Sequence, residues 1–262
     1  MSTVASKDGT LIAYEKQGSG PALVLVDGAL CWRGFGPMGK LAALLAGQFT
    51  VYTYDRRGRG ASGDAATYDR SREVEDLAAL LREAGGRAFV AGLSSGAALA
   101  LEAVASGLPI AKVVAFEPPY MPDTVTRHAG ADHPGKLRAL LAEDRRGDMV
   151  RYFMRDMVGA PGFVVFMMSA VPWVWSKLKA VAHTLPYDAT IMDGFRVPVA
   201  RLGEIHTPTL VVNGGKTDPN LQASAKAVAA AVPGAGHRVL DGQTHNVAPK
   251  ALAPVLTSFF MA

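Results

Sequence analysis

The stretch Arg87-Ala88-Phe89-Val90-Ala91-Gly92-Leu93-Ser94-Ser95-Gly96-Ala97-Ala98-Leu99-Ala100-Leu101 decides how this chain is read. Its first five residues are short, apolar and strand-like. The run after Gly96, which continues to Ala105, is rich in strong helix formers. Between them lies a Gly-x-Ser-x-Gly pentapeptide. A strand that turns sharply into a helix at a serine is a nucleophile elbow, and the positions flanking the serine must be small; Gly92 and Gly96 meet that need. The turn lifts the Ser94 hydroxyl out of the sheet and sets the Ser95 N–H at the head of a helix, where negative charge is favoured.

Outward from this point the chain repeats one rhythm. Strand-like runs occupy 11–16, 22–26, 49–54 and 111–116, and helical patterns occupy 41–45 and 71–83. In the last of these Val74, Leu77, Ala78 and Leu81 share a face, and Glu73, Glu75 and Asp76 crowd the first turn. Repeated β-α-β units require a parallel sheet with right-handed crossovers. From about 119 to 207 the rhythm stops. Helical patterns at 136–142, 149–157, 161–169 and 175–183 are punctuated by Pro122, Pro134, Pro161, Pro172 and Pro186, with no convincing strand. Strand and helix then alternate again at 209–213, 223–231, 237–240 and 249–259. The organisation expected is an α/β core domain over 1–118 and 208–262, interrupted by a helical cap over 119–207.

Composition narrows the class. Of 262 residues 49% are hydrophobic and 19% charged, enough for a large core and unlike a disordered chain. The net charge of +4 comes with scattered arginines and no Lys/Arg block, which reads as a solvated surface and not a nucleic-acid partner. The arginine turn Arg56-Arg57-Gly58-Arg59 reads as structural. The single Cys31 excludes an internal disulfide. No 18-residue apolar stretch free of charge occurs, and the N-terminus lacks a basic-then-apolar leader, so the expectation is a cytoplasmic protein without a membrane partner. No H-E-x-x-H or C-x-x-C spacing implies a metal, and Gly18-Ser19-Gly20 fails as a dinucleotide fingerprint because no helix follows it. No cofactor is expected. The partner expected is a small-molecule substrate, the chain itself being a monomer or homodimer.

A nucleophilic serine needs a base, an acid to hold that base and donors for the developing oxyanion. In an open parallel sheet these lie just past the carboxyl ends of strands. Asp218 follows the strand at 209–213 on the loop Gly214-Gly215-Lys216-Thr217-Asp218-Pro219. His245 follows the strand at 237–240, just before the final helix. Past the strand ending at Val26, Asp27-Gly28-Ala29-Leu30 can turn the Ala29 N–H towards Ser94, making with the Ser95 N–H a two-donor oxyanion hole. Cys31 and Trp32 come next and are candidates for lining the substrate pocket; no base is implied beside the Cys31 thiol.

At this point the sequence resembles the α/β-hydrolase superfamily. The resemblance rests on the elbow Gly92–Gly96, the acid loop ending in Asp218-Pro219, the late His245, and Asp55-Arg56-Arg57-Gly58-Arg59-Gly60-Ala61-Ser62, which looks like the D-x-R-G-x-G-x-S turn after the fourth strand. It implies an eight-stranded, mostly parallel, doubly wound sheet with a cap inserted after the sixth strand, and acyl-enzyme chemistry without a cofactor. The catalytic triad is then Ser94, Asp218 and His245. Glu117 is the alternative acid, since it follows the strand ending at Phe116, where relatives such as certain haloalkane dehalogenases place theirs; dehalogenation itself wants an aspartate where this chain has Ser94. Two further departures stand out. The oxyanion loop begins Asp27-Gly28 where the family usually has His-Gly, and Ser95 adds a hydroxyl beside the nucleophile.

The cap contributes Met154, Met157, Phe163, Phe166, Met167, Met168, Trp173 and Trp175. Most are expected to pack on the core, and the remainder make the cleft apolar. The expected function is an esterase or lactonase acting on small, fairly hydrophobic substrates. The alternatives are cofactor-free C–C cleavage, oxygenation or another biosynthetic reaction on the same triad, and a ligand-binding protein on a hydrolase fold.

Overall fold

The apolar runs become strands. The computed structural model describes residues 1–65, 67–121, 128 and 130–262. Its eight strands are β1 (Ser2–Ala5), β2 (Leu11–Gln17), β3 (Ala22–Val26), β4 (Thr50–Tyr54), β5 (Ala88–Leu93), β6 (Ile110–Phe116), β7 (Thr209–Gly214) and β8 (Gly236–Leu240). They form one sheet in the order β1-β2-β4-β3-β5-β6-β7-β8. β2 runs antiparallel to β1 and β4; every other pairing is parallel. The fold is that of an α/β hydrolase.

Helices cover both faces, so the central strands show no polar alternation. Leu23 and Leu25 of β3 face α1 (Met38–Leu45) and the last helix, α11 (Pro249–Met261). Val24 and Val26 face the other way, towards α2 (Arg70–Glu83), α3 (Ser95–Ala105) and α10 (Pro219–Ala231). β1 was not anticipated. It is a four-residue edge strand in which only Val4 is even half-buried, so it carries no hydrophobic period to read.

Between β6 and β7 the described residues form helices and no strand. They are α4 (His133–Ala142), α5 (Arg146–Tyr152), a π-helical turn (Phe153–Met157), α6 (Gly162–Ser169), α7 (Pro172–Ala180), α8 (Leu185–Ile191) and α9 (Val199–Gly203), with short 3-10 turns at Ala182–Thr184 and Asp193–Phe195. Leu137, Met149, Trp175, Leu178 and Leu185 pack into a separate apolar cluster that also takes in Leu30 and Met121. The sequence reading missed α8 and α9. Pro172 and Pro186, expected to punctuate the helices, each sit in the first turn of one (α7 and α8), where the missing N–H costs nothing. Pro122 lies outside the described residues. No described helix is long and apolar enough to cross a membrane.

Candidate active site

The turn from β5 into α3 is as tight as its glycines imply. Ser94 sits at φ 55°, ψ −125°, a left-handed conformation that side chains seldom adopt. Its N–H donates to the Phe116 carbonyl (2.9 Å), and its carbonyl accepts from Ala97 and Ala98, so the backbone holds the strained residue from both sides. A methyl group at position 92 would lie 2.3 Å from the Gly96 oxygen, and one at position 96 would lie 2.4 Å from the Val26 oxygen. The Ser94 side chain does not cap α3. As the first residue of α3, Ser95 has no carbonyl one turn back within the helix to accept its N–H.

His245 meets Glu117, not Asp218. Its Nδ1 lies 2.5 Å from Glu117 Oε2. The other carboxylate oxygen accepts from the Gly214 N–H (2.7 Å) and the Thr217 hydroxyl (2.6 Å). Glu117 is wholly buried at the end of β6, at φ 47°, and its own N–H donates to the Val212 carbonyl. Asp218 is spent differently: its Oδ1 accepts the Asn220 N–H as the N-cap of α10, with Pro219 in the first turn. The structure thus brings His245 to the alternative carboxylate, Glu117, and places Asp218, the acid first expected, on the N-terminus of α10 instead.

The loop after β3 lies against the elbow. A methyl group at Gly28 would lie 3.2 Å from Ser94 Cβ, a tight contact that shows how closely this loop passes the elbow, and half-buried Ala29 is the next residue along. Asp27 is 3% exposed, and its Oδ1 accepts the Gly28 N–H (3.1 Å). Burial pushes its carboxyl up to about 7, against the lowering pull of that N–H, Arg59 and Arg56. Burial, with Asp27 adding to it, also raises the Cys31 thiol well above its ordinary value, which suits a packing residue and not a nucleophile.

Below this loop three arginines are almost completely buried. Arg56 makes a two-point pair with Glu73 (2.5 and 2.8 Å), and Arg57 does the same with Asp76 (2.8 and 2.7 Å). Asp188 of α8 is shared: one oxygen meets Arg56 (2.8 Å) and the Ser95 hydroxyl (2.8 Å), and the other meets Arg59 (2.7 Å). Burial alone would raise the Asp188 carboxyl, but Arg59 and Arg56 outweigh it and hold it below the usual range. Arg59 also donates to the Gly28 carbonyl (2.7 Å) and Arg56 to that of Asp27 (3.3 Å). The network therefore ties α8, the elbow helix and the loop after β3 together. Tyr187 of α8 adds a parallel ring stack on Tyr68, with centroids 3.9 Å apart. Ser95's hydroxyl, which the sequence placed beside the nucleophile, is thereby turned into this network.

Ser94 and His245 line one small cavity of about 40 Å³, walled by Pro119, Met121, Phe153, Met157, Val158, Met192, Phe195 and Leu221, with Asp218 as its one acidic residue. Residues 18–255 match the alpha/beta hydrolase family. The chain belongs to that family. It is 50% identical to an alpha/beta hydrolase from Sphaerobacter thermophilus, over 99% of this chain and 100% of that one, with a TM-score of 0.91. A thermophilic esterase from Thermogutta terrifontis shares the fold at 20% identity and a TM-score of 0.70, covering 99% of this chain and 97% of that one. So does an enol-lactonase from Burkholderia xenovorans at 19% and 0.66, over the full length of both. No curated protein matches the sequence.

Two expected pocket residues of this alpha/beta hydrolase stand elsewhere. Trp32 pairs with Phe35 (ring centroids 5.2 Å apart) against the apolar cluster of the insertion, and Cys31 gives its carbonyl to Arg59. Neither is in the cavity wall. Conversely, the sequence reading missed Asp188, whose partners are 93 to 132 residues away. Glu73 and Asp76, read as favourable charges for a helix start, are buried partners of Arg56 and Arg57. Among the described residues no cluster of three or more His, Cys, Asp or Glu side chains could hold a metal ion.

Proposed function

We propose that this alpha/beta hydrolase cleaves carboxylic esters or lactones of small, largely apolar substrates through an acyl-enzyme on Ser94, with residues 119–207 acting as a cap. The observation that carries the reading is the His245–Glu117 contact at 2.5 Å, with His245 and Ser94 in the wall of the same cavity. An imidazole that donates Nδ1–H to a carboxylate keeps its Nε2 lone pair for a hydroxyl proton. His245 removes that proton as Ser94 attacks the carbonyl, and Glu117 orients the ring and stabilises its cation. The N–H groups of Ser95 and Ala29 receive the oxyanion; one such donor is worth on the order of 10²–10³ in rate. Water then repeats the attack with His245 as base. A carboxylate at Asp27 would oppose the oxyanion, but it is turned into the Gly28 N–H and its burial disfavours the charged form. The cavity wall is mostly Phe, Met, Val and Leu, which supports an uncharged acyl group.

Ser94→Ala tests the reading. It should lose p-nitrophenyl butyrate turnover by ~10³-fold or more while keeping the wild-type circular dichroism spectrum. Intact-mass spectrometry of the wild type with activated esters and lactones should show an adduct that the variant lacks. Retained turnover removes Ser94 from the mechanism.

A further inference from the structure

The helices between β6 and β7 carry an apolar surface turned to solvent. α6 reads Gly-Phe-Val-Val-Phe-Met-Met-Ser, yet Val165 alone is buried in it. Phe163, Phe166 and Met167 stand at i, i+3 and i+4 and are 72, 70 and 62% exposed; Trp173, at the start of α7, is 63% exposed. α6 and α7 pack on each other through the turn at 169–171, so the four side chains belong to one hairpin. This spacing is the stripe a helix normally buries, pointing the wrong way for its own fold.

We propose that this face is the contact between two copies of the chain, an isologous homodimer built on α6 and α7. Three observations select a second copy. Four large side chains, each about two-thirds exposed, present on the order of 600 Å², the upper end of what monomers leave bare. With Ala170 and Val171 around them, they supply most of the ~800 Å² that each partner gives to a standard interface. The composition is that of an interface core, Phe, Trp and Met, with the Lys177 ammonium over the Trp173 ring as the charge beside it. The α6 stripe itself holds no charge, so it can meet its own image across a two-fold axis without opposing like charges, and such a contact closes on itself. A lipid surface fits less well. Between Asp156 and Asp188 the chain has no acidic residue, but its only lysines there are Lys177 and Lys179. Lys177 lies over the Phe35 and Trp173 rings, 5.3 and 5.7 Å from their centroids. Electrostatic attachment to anionic lipid takes clusters of about 4–8 cations.

The contact borders the chemistry. α6 follows the π-helical turn whose Phe153 and Met157 wall the cavity, so pairing braces the segment beside Ser94 and His245.

Sedimentation velocity and light scattering on the full chain test the proposal. At ~10 µM the wild type should have twice the 27.5 kDa chain mass. Phe166→Glu and Trp173→Glu should each raise the dimer Kd at least ~100-fold and run as folded monomers by circular dichroism. Should either lose its fold, Phe163→Ser is read in the same way. Leu44→Glu, on the exposed face of α1, should stay dimeric. A wild type that is monomeric at ~100 µM, a dimer that survives the α6 and α7 substitutions, or a monomer that co-sediments with phosphatidylglycerol vesicles through this face overturns the proposal.

Discussion

Glu117 grips His245 with one carboxylate oxygen while Gly214 and Thr217 occupy the other. Three donors and a buried backbone leave the carboxylate no freedom to turn away, so the imbalance between Glu117 and Asp218 should be visible in rates. Glu117→Gln puts an amide against Nδ1 and favours the wrong tautomer. Its kcat for p-nitrophenyl butyrate should fall by ~10³–10⁴, while Asp218→Asn stays within about tenfold of wild type. Steady-state kinetics on the two variants decide this, and a greater loss for Asp218→Asn would hand the role back to Asp218.

In the proposed mechanism Ser95 acts through its backbone N–H, and its hydroxyl is bound to Asp188. Ser95→Ala should therefore keep kcat within a few-fold. It should lose about 1.5–3 kcal/mol of stability, the worth of a buried hydrogen bond to a charged group. Urea titration and ester hydrolysis on one preparation separate the two effects.

Asp188 neutralises two guanidiniums that have no solvent to fall back on. Removing one partner of a buried ion pair strands the other, so Asp188→Ala should cost about 3–5 kcal/mol. Asp188→Asn keeps the hydrogen-bond geometry and should cost less. Chemical denaturation gives both values, and an alanine variant as stable as wild type would refute the buried network.

Asp27 predicts an unusual pH dependence. Its folded carboxyl, pushed up to about 7, lies above the ordinary 3.8. Its contribution to stability is thus whole below the ordinary value and is lost as pH rises towards and through 7. Asp27→Asn retains an acceptor for the Gly28 N–H and does not titrate. The variant should gain on wild type by up to ~4 kcal/mol between about pH 4 and pH 8. Urea midpoints across that range measure it; a constant gap between the two proteins would contradict the assignment.

Much of this architecture is legible in the sequence. β3 and β5 are buried on both faces and so appear as unbroken apolar runs, β6 departs from that only at Lys112, and the elbow glycines announce a turn that admits no Cβ. The insertion is legible as helical, but its boundaries are not, since Pro172 and Pro186 open helices as readily as they end them. Asp218-Pro219 held a usable signal: an aspartate before a proline is a helix start, which commits that carboxylate to its own backbone. Choosing Glu117 required knowing that β6 and β7 are neighbours, which places the Gly214 N–H beside its carboxylate. Asp188 was beyond reach, because one charge on a short helix says nothing of partners at positions 56, 59 and 95.

The small cavity has a mechanical corollary. Some 40 Å³ admits about three waters, far less than an ester with its leaving group. The cavity is partly open to solvent, so a larger substrate reaches Ser94 through its mouth or where the wall gives. The α8 side is riveted by Asp188 and the Tyr187 ring, and moving it would expose unpaired guanidinium charge to an apolar interior. The π-helical turn, whose Phe153 and Met157 also wall the cavity, takes no part in that ion-pair network, and a π turn is wider and less tightly wound than a regular α-helix. Bulk added at Phe153 or Met157 should therefore lower the size of the largest ester accepted.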